Sequence, residues 1–282
     1  MSKTWFITGA TRGLGADIAA AALKAGDRVV ATGRQRAAVS DRLGADSDRL
    51  LALSLDVADP AQAAAAVAAA LGRFGGIDVL VNNAGYGHLG YFEETSDADV
   101  QAQYATNVFG LFNVTRAVLP AMRAARRGHV FNLSSVAGYR GIETGGLYCS
   151  SKFAIEGFSE SLALELKPFG IHVTIVQPGP FRTDFLTPES LRFAVRGVDD
   201  YAERRAAQRA SFEQRNGHQA GDPARLAAAF LTLAEAAEPP LRFTAGRMAV
   251  EGLAAKLQTM QAELDRWRDL GLGTDFPVGA PA

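Results

Sequence analysis

A phenol and an amine stand four residues apart in Tyr148-Cys149-Ser150-Ser151-Lys152. On a helix that spacing stacks both side chains on one face, so the Lys152 ammonium can sit beside the Tyr148 oxygen. Free tyrosine, with a pKa near ~10, exchanges protons poorly at neutral pH. Bringing it near ~7 takes roughly 3–4 kcal/mol of preferential stabilisation of the phenolate. A unit positive charge ~4 Å away supplies about 4 kcal/mol at an effective dielectric near ~20, so one lysine suffices where bulk water is excluded. The pair therefore predicts a Tyr148 whose pKa is depressed by Lys152, and hence a proton-transfer catalyst. The plainer alternative is a core tyrosine followed by a surface lysine. Against it, Arg makes up 24 of the 29 basic residues, so a lysine here is compositionally unexpected.

The second constellation is Thr8-Gly9-Ala10-Thr11-Arg12-Gly13-Leu14-Gly15, which ends an apolar run and opens a helical pattern. Glycines permit a tight turn and a close backbone approach, and a helix N-terminus offers free N–H groups to a pyrophosphate. Strand, glycine turn and helix in that order predict dinucleotide binding. NAD binders carry an acid at the end of the second strand for the ribose 2′-hydroxyl. Here the chain reads Thr32-Gly33-Arg34-Gln35-Arg36. Arg34 can pair with a 2′-phosphate, with Arg12 as a second clamp, and this predicts NADP(H) over NAD(H). Asp56 and Val57 follow the third strand and are placed to touch an adenine; Asp56 could equally cap a turn.

These groups need a scaffold. Short apolar runs at 4–8, 28–32, 50–55, 78–81, 129–133, 172–176 and 241–244 alternate with helical patterns at 14–25, 60–71, 97–122, 147–167 and 223–236. Near-continuously apolar strands alternating with helices predict an α/β fold, a parallel sheet covered on both faces. Ligands in such sheets lie beyond the carboxyl ends of the strands, where both constellations fall. With 282 residues and no linker-like stretch, the chain reads as a single domain over 1–282. Residues 180–222 lose periodicity and read as a substrate lid. The tail, 246–282, is helical at least to 270, with Met248, Leu253, Leu257, Met260 and Leu264 on one stripe that suits core packing or a subunit contact.

Composition narrows the function classes. At 48% hydrophobic and 21% charged the chain is globular, and a net charge of −1 offers no footprint for nucleic acid or an anionic membrane. The longest nearly apolar stretch, 61–72, is too short to span a bilayer, and the N-terminus enters a strand too early for a signal peptide. One cysteine excludes an internal disulfide and a cysteine-based metal cluster. The expectation is a cytoplasmic protein with no metal.

Together the motifs resemble the short-chain dehydrogenase/reductase family, over about residues 4–184. The glycine loop matches at 8–15. Asn82-Asn83-Ala84-Gly85 matches the family's Asn-Asn-Ala-Gly, and Asn107 its structural and proton-relay asparagine. Ser135, 13 residues before Tyr148, has the spacing of the catalytic serine. Pro178-Gly179-Pro180-Phe181-Arg182-Thr183 matches the turn that holds the nicotinamide carboxamide. The resemblance implies a Rossmann-type doubly wound sheet of about seven strands and a homo-oligomer. It implies hydride transfer between nicotinamide and a carbonyl or carbinol carbon. Tyr148 would then move the hydroxyl proton, and Lys152 would tune it and bind the ribose. Ser135 would donate to the substrate oxygen, and Asn107 would hold a water joining Lys152 to solvent. The segment 177–185 looks like that of hydroxysteroid and retinol dehydrogenase-like members.

Tyr139, Ile142, Leu147, Phe181, Phe185, Leu186, Leu191 and Phe193 suggest an apolar pocket, hence a hydrophobic ketone, aldehyde or alcohol. His88 is expected at the surface of a loop, Cys149 in packing, Glu143 in solvent and Ser134 in strand-end hydrogen bonding. Two other readings compete with the oxidoreductase: sugar-nucleotide epimerisation or dehydration on the same fold, and an NADP sensor without catalysis. The intact set of Tyr148, Lys152 and Ser135 argues against the sensor.

Overall fold

The sheet is built from strands whose side chains are buried on both faces. β1 (Thr4–Ile7), β2 (Arg28–Gly33), β3 (Leu50–Ser54) and β4 (Val79–Asn82) form its first half in chain order. In the computed structural model, which describes residues 2–276, Trp5 and Ile7 point into one apolar cluster and Phe6 into a second on the opposite face. Helices α1 (Gly13–Lys24), α2 (Arg36–Leu43) and α3 (Pro60–Phe74) connect these strands. β5 (Gly87–Leu89) follows, then α4 (Asp97–Tyr104), α5 (Gly110–Ala125), β6 (Gly128–Leu133), α6 (Gly146–Leu166) and β7 (Ile171–Pro178). The C-terminal part holds β8 (Leu191–Phe193), α7 (Ala202–Arg215), α8 (Pro223–Glu235), β9 (Arg242–Ala245) and α9 (Arg247–Leu272).

All seven strands of the main sheet pair in parallel, in the order β3-β2-β1-β4-β6-β7-β9. With helices on both faces this is a doubly wound Rossmann-type sheet. The chain steps outward from β1 to β3, then crosses back to lay β4 on the other side of β1. The switch point therefore opens between the carboxyl ends of β1 and β4, where such sheets bind ligands. Buried amides fix that region: Asn82 Nδ2 donates to Thr115 Oγ1 at 2.8 Å and Asn132 Oδ1 at 2.9 Å, and Asn132 Nδ2 donates to Ser159 Oγ at 2.8 Å. One chain of bonds thus ties β4 and β6 to α5 and to α6, which carries Tyr148 and Lys152.

Three departures from the sequence expectations have physical causes. The single helix over 97–122 is two helices joined by a π-helical turn at Ala105–Phe109, a device common at functional sites. Its extra residue turns Asn107 inward, where its amide donates to Tyr86 O at 2.9 Å and accepts from Tyr86 N at 3.1 Å. Helix α2 buries only Val39, so it has no apolar stripe to reveal it. The stretch expected as an irregular lid contains β8, which pairs in parallel with β5, and α7. Of the expected tail, residues 277–282 lie outside the described residues, as does residue 1.

The segment from β8 to α7 is held by a buried charge. Glu94 is fully buried, pairs with Arg205 of α7 and accepts from Val198 N at 3.0 Å. Removing the cation strands a carboxylate in the interior, and we expect Arg205→Met to weaken lid attachment by about 2 kcal/mol. Limited proteolysis within 194–215 should then run roughly thirtyfold faster while the sheet stays intact. Unchanged cleavage would mean that Glu94 does not depend on Arg205.

Candidate functional site

The glycine loop is shaped by backbone demands. Gly9 has φ +67° and Gly13 φ +53°, both left-handed conformations that favour glycine. A side chain on Gly9 would also bring its Cβ to 2.9 Å from Ala84 Cα, and one on Gly15 would overlap the Gly9 carbonyl. Thr8 lies behind the loop: its hydroxyl accepts from Asn83 N and Ala84 N, each at 3.0 Å. Asn83 Nδ2 returns the link to Thr8 O at 2.8 Å and Gly9 O at 3.0 Å. The two strand-end turns that flank the switch point are thereby laced into one unit.

Helix α1, like α2, starts without a side-chain cap. α3 and α8 are capped by Asp59 and Asp222, and α4 by a Ser96–Asp99 capping box, whereas α1 has no side-chain cap. Its first-turn N–H groups at Gly13 and Leu14 line a cavity of about 440 Å³. That is the arrangement that receives an anion. The cavity runs from Gly33 and Arg34, past Thr11, Arg12, Asp56 and Asn83–Gly85, to Ser135, Tyr148, Lys152, Pro178, Gly179, Phe181 and Thr183. A phosphate-bearing dinucleotide suits this lining: a glycine cradle, uncapped N–H donors and an exposed arginine at one end, and titratable hydroxyls at the other. Arg34, exposed at the end of β2, lines the cavity beside Gly33. Gly13–Leu14 would hold the pyrophosphate, and Gly179–Thr183 the far ring.

Not every expected residue faces this space. Val57 is buried against Gly110 of α5, where a methyl group would overlap it, so it is core rather than cofactor contact. Asp56 lines the cavity but also accepts from Ala58 N at 3.0 Å, as a turn residue does. Arg12 lines the cavity while donating to Glu189 O and Ser190 Oγ, both at 2.8 Å, so its guanidinium joins the loop to the lid. Asn107 sits behind the wall and reaches Ser151 Oγ at 3.3 Å, one residue from Lys152. His88, expected at the surface, is 2% exposed, with Nε2 3.3 Å from Asp99 Oδ1, because β5 tucks beneath α4. Burial lowers its pKa. Cys149 is packed with Tyr148, Ala137, Ile142 and Phe185. Glu143, half-exposed, accepts the Tyr91 hydroxyl at 2.8 Å and pairs with Arg204 of the lid. Ser134 is buried at the strand end with no hydrogen-bond partner for its hydroxyl.

At the other end of the cavity Tyr148, Lys152 and Glu156 stack one turn apart along α6, all buried. Lys152 Nζ donates to Leu133 O at the end of β6 at 2.6 Å and lies 5.8 Å from the Tyr148 ring centroid. The Ser135 hydroxyl hydrogen-bonds the phenol and pulls its pKa down, but burial outweighs that bond and the Tyr148 pKa is pushed up to about 12. Lys152 is driven the other way, down to about 8 by burial, with the Glu156 carboxylate opposing. The expected depression of Tyr148 toward neutrality is thus reversed. The spacing put both groups on one face of the helix but carried no term for desolvation of the phenolate. Glu156 is itself held by Gln177 Nε2 at 3.0 Å and by Arg242.

Tyr86, Arg192 and Gln219 are among the cavity residues that sequence reasoning missed. Tyr86 and Arg192 meet at the rim, with the guanidinium 4.6 Å from the ring centroid. Gln219, at the end of the lid, is 5% exposed, and both amide atoms lack a hydrogen-bond partner although it lines the cavity. Such a buried, unpartnered amide points to a polar ligand. Only a weak signal existed for it, the Gly-His-Gln run that precedes a helix cap. The apolar wall is also smaller than expected. Phe181, Phe185 and Leu186 line the cavity, with Phe185 5.8 Å from Tyr148 ring to ring, while the Tyr139 hydroxyl turns away to Ala249 O.

Residues 3–192 match the short chain dehydrogenase family. The chain is 36% identical over 275 residues to Oxidoreductase BOA17 of Botryotinia fuckeliana, covering 97% of this chain and 100% of the relative. It is 38% identical over 252 residues to a 3-ketodihydrosphingosine reductase of Bacteroides thetaiotaomicron, covering 89% and 90%. A solved short-chain dehydrogenase from Streptomyces avermitilis superposes with a TM-score of 0.89 at 40% identity, over 98% of this chain and 100% of that one. Other solved relatives hold NADP or NAD. With a switch-point cavity of this lining and a family match across two thirds of its length, the chain belongs to the short-chain dehydrogenase/reductase family, oxidoreductases acting on CH–OH and C=O groups.

Proposed function

We propose that this single-domain enzyme is an NADP(H)-preferring reductase of a hydrophobic ketone or aldehyde, working in the cytoplasm. The observation that carries the cofactor reading is Arg34. It is an exposed guanidinium at the end of β2 that lines the cavity beside Gly33, with no acidic residue in the position that would favour a free 2′-hydroxyl. The substrate reading is supported by Phe181, Phe185 and Leu186 around Tyr148, and by the similarity to a relative named for a long-chain keto substrate. No described helix is long and apolar enough to cross a membrane. A homo-oligomer also suits the exposed Phe109 and Phe153 near and on the α5 and α6 surfaces.

A bound nicotinamide dinucleotide supplies the hydride. The protein's part is to hold the carbonyl and deliver a proton. With a pKa near 12 the Tyr148 phenol remains protonated at neutral pH, so it can donate to the oxygen of a ketone as charge grows there. Ser135 hydrogen-bonds the same phenol and would turn its hydroxyl to the substrate oxygen when that oxygen is bound. As the phenol loses its proton, the Lys152 ammonium, still charged below about 8, stabilises the phenolate across the face of α6. Asn107 is a positioning residue that fixes the backbone at Tyr86 and the Ser151 hydroxyl beneath the pair.

Tyr148→Phe should keep NADPH binding and lose nearly all turnover, on the order of 10³-fold, on a panel of hydrophobic ketones followed by NADPH absorbance. Retained turnover sinks the mechanism. Arg34→Asp should weaken NADPH roughly tenfold or more while changing NADH little, by fluorescence titration. Equal loss for both would remove Arg34 from cofactor choice. The third expectation concerns stability. The Lys152 pKa falls from 10.5 to about 8 on folding, so the unfolded chain binds more protons between those values and the wild type gains stability as pH rises through them. Relative to Lys152→Met, denaturant unfolding should show a gain of about 2 kcal/mol for the wild type between pH 8 and 10. Parallel stability curves would show that the ammonium is not desolvated.

A further inference from the structure

Helix α9 is attached to the body only at its first turns. Ala249 is its single buried residue and its carbonyl accepts the Tyr139 hydroxyl at 2.8 Å, with Gly252 lying against Arg140. From Ala254 to Leu272 nearly every residue is exposed. Helices in proteins owe most of their stability to packing of an apolar face. The face exists: Val250, Leu253, Leu257, Met260, Leu264 and Trp267 recur at steps of three and four, the a and d positions of a coiled-coil seam. Leu257, Met260, Leu264 and Trp267 are each more than half exposed.

Charge decides what covers this seam. The helix carries Arg247, Lys256, Arg266 and Arg268 against Glu251, Glu263, Asp265 and Asp269, so it lacks the cationic excess of a helix that lies on a lipid surface. The pattern is instead complementary to itself. Run antiparallel against an identical helix, Val250 meets Trp267 of the second copy, Leu253 meets Leu264, and Leu257 meets Met260, so all six positions find an apolar partner in one register. The same register sets Lys256 opposite Glu263 twice. It also brings Arg247 near Arg268 of the other helix, but each already has an acid on its own helix, Glu251 at 3.7 Å and Asp265 at 3.6 Å. A parallel pair would leave Lys256 facing Gln261, without a charge partner. We propose that α9 is an isologous interface. It pairs antiparallel with α9 of a second copy of this chain about a two-fold axis between Gln258 and Thr259.

The test is sedimentation velocity on the full chain over a range of concentrations. Leu257→Asp combined with Leu264→Asp should halve the mass of the assembly, with circular dichroism and dinucleotide binding retained, because both side chains are more than half exposed and outside the apolar clusters of the body. Any dimer formed through α5 and α6 survives that change, so the halving reports α9 alone. Lys256→Glu should weaken association roughly tenfold by setting acids face to face, Glu263→Lys should do the same, and the double exchange should restore it. Wild-type protein that is monomeric at every concentration would overturn the proposal, as would an unchanged mass in the leucine variant or a double exchange that fails to rescue. Sedimentation of monomeric wild type with phosphatidylcholine or phosphatidylserine vesicles, lost in the leucine variant, would assign the face to lipid instead.

Discussion

The site depends on placing an ammonium where water cannot reach it. A lysine in the interior must find an acceptor and a counter-charge or lose its proton. Lys152 finds the Leu133 carbonyl at 2.6 Å and the Glu156 carboxylate one turn along the same helix. Each of these constrains something else. The Leu133 carbonyl is free to accept because β6 ends there and the chain turns off at Ser134 and Ser135. Glu156 is held by Gln177 of β7 and Arg242 of β9, so the last two strands of the sheet orient the charge behind the candidate proton donor. The edge strand β9, remote in sequence from the Tyr148–Lys152 pair, thereby becomes part of its electrostatics.

A charge held this way needs a rigid frame, because a shift of a fraction of an ångström changes a short hydrogen bond more than it changes packing. The frame is polar and buried. Asn82, Asn132, Thr115 and Ser159 connect two strands to two helices through hydrogen bonds of 2.8–2.9 Å. Thr8 and Asn83 lock the turns on either side of the switch point. Apolar contacts alone would tolerate sliding of α6 along the sheet; short directional hydrogen bonds do not. The amides inside this fold therefore set where the functional groups lie, while the two apolar clusters set whether it folds.

That division explains what could be read from the chain. The seven main strands were legible because each is a short apolar run flanked by turn residues, and the two site motifs because chemistry in a parallel sheet gathers at strand ends. β5 and β8 were not, since three residues carry no period and their pairing joins segments about a hundred residues apart. The π turn was hidden inside an apolar pattern that continues on both sides, although it alone brings Asn107 to Tyr86. Among site residues, Arg34 could be found by its offset from the glycine loop, whereas Gln219 becomes meaningful only when the lid folds back over the cavity. Val57 shows the converse error: its position after a strand suggested a ligand, but Gly110 opposite it leaves room for a valine and the core takes it.

The sign of the Tyr148 shift carries the deepest lesson. Spacing on a helix specifies which charges are neighbours, and Coulomb attraction between Lys152 and a phenolate is real. Burial acts on both groups at once, and it acts against charge on each, so it raises one pKa and lowers the other until they sit about 4 units apart, near 12 and near 8. A phenol in that state stays protonated at neutral pH but is a weaker acid than free tyrosine, so releasing its proton depends on stabilisation of the phenolate as it forms. Wetting the site would reduce both desolvation effects together, and Phe185, 5.8 Å from Tyr148 ring to ring, is the apolar side chain that packs over it.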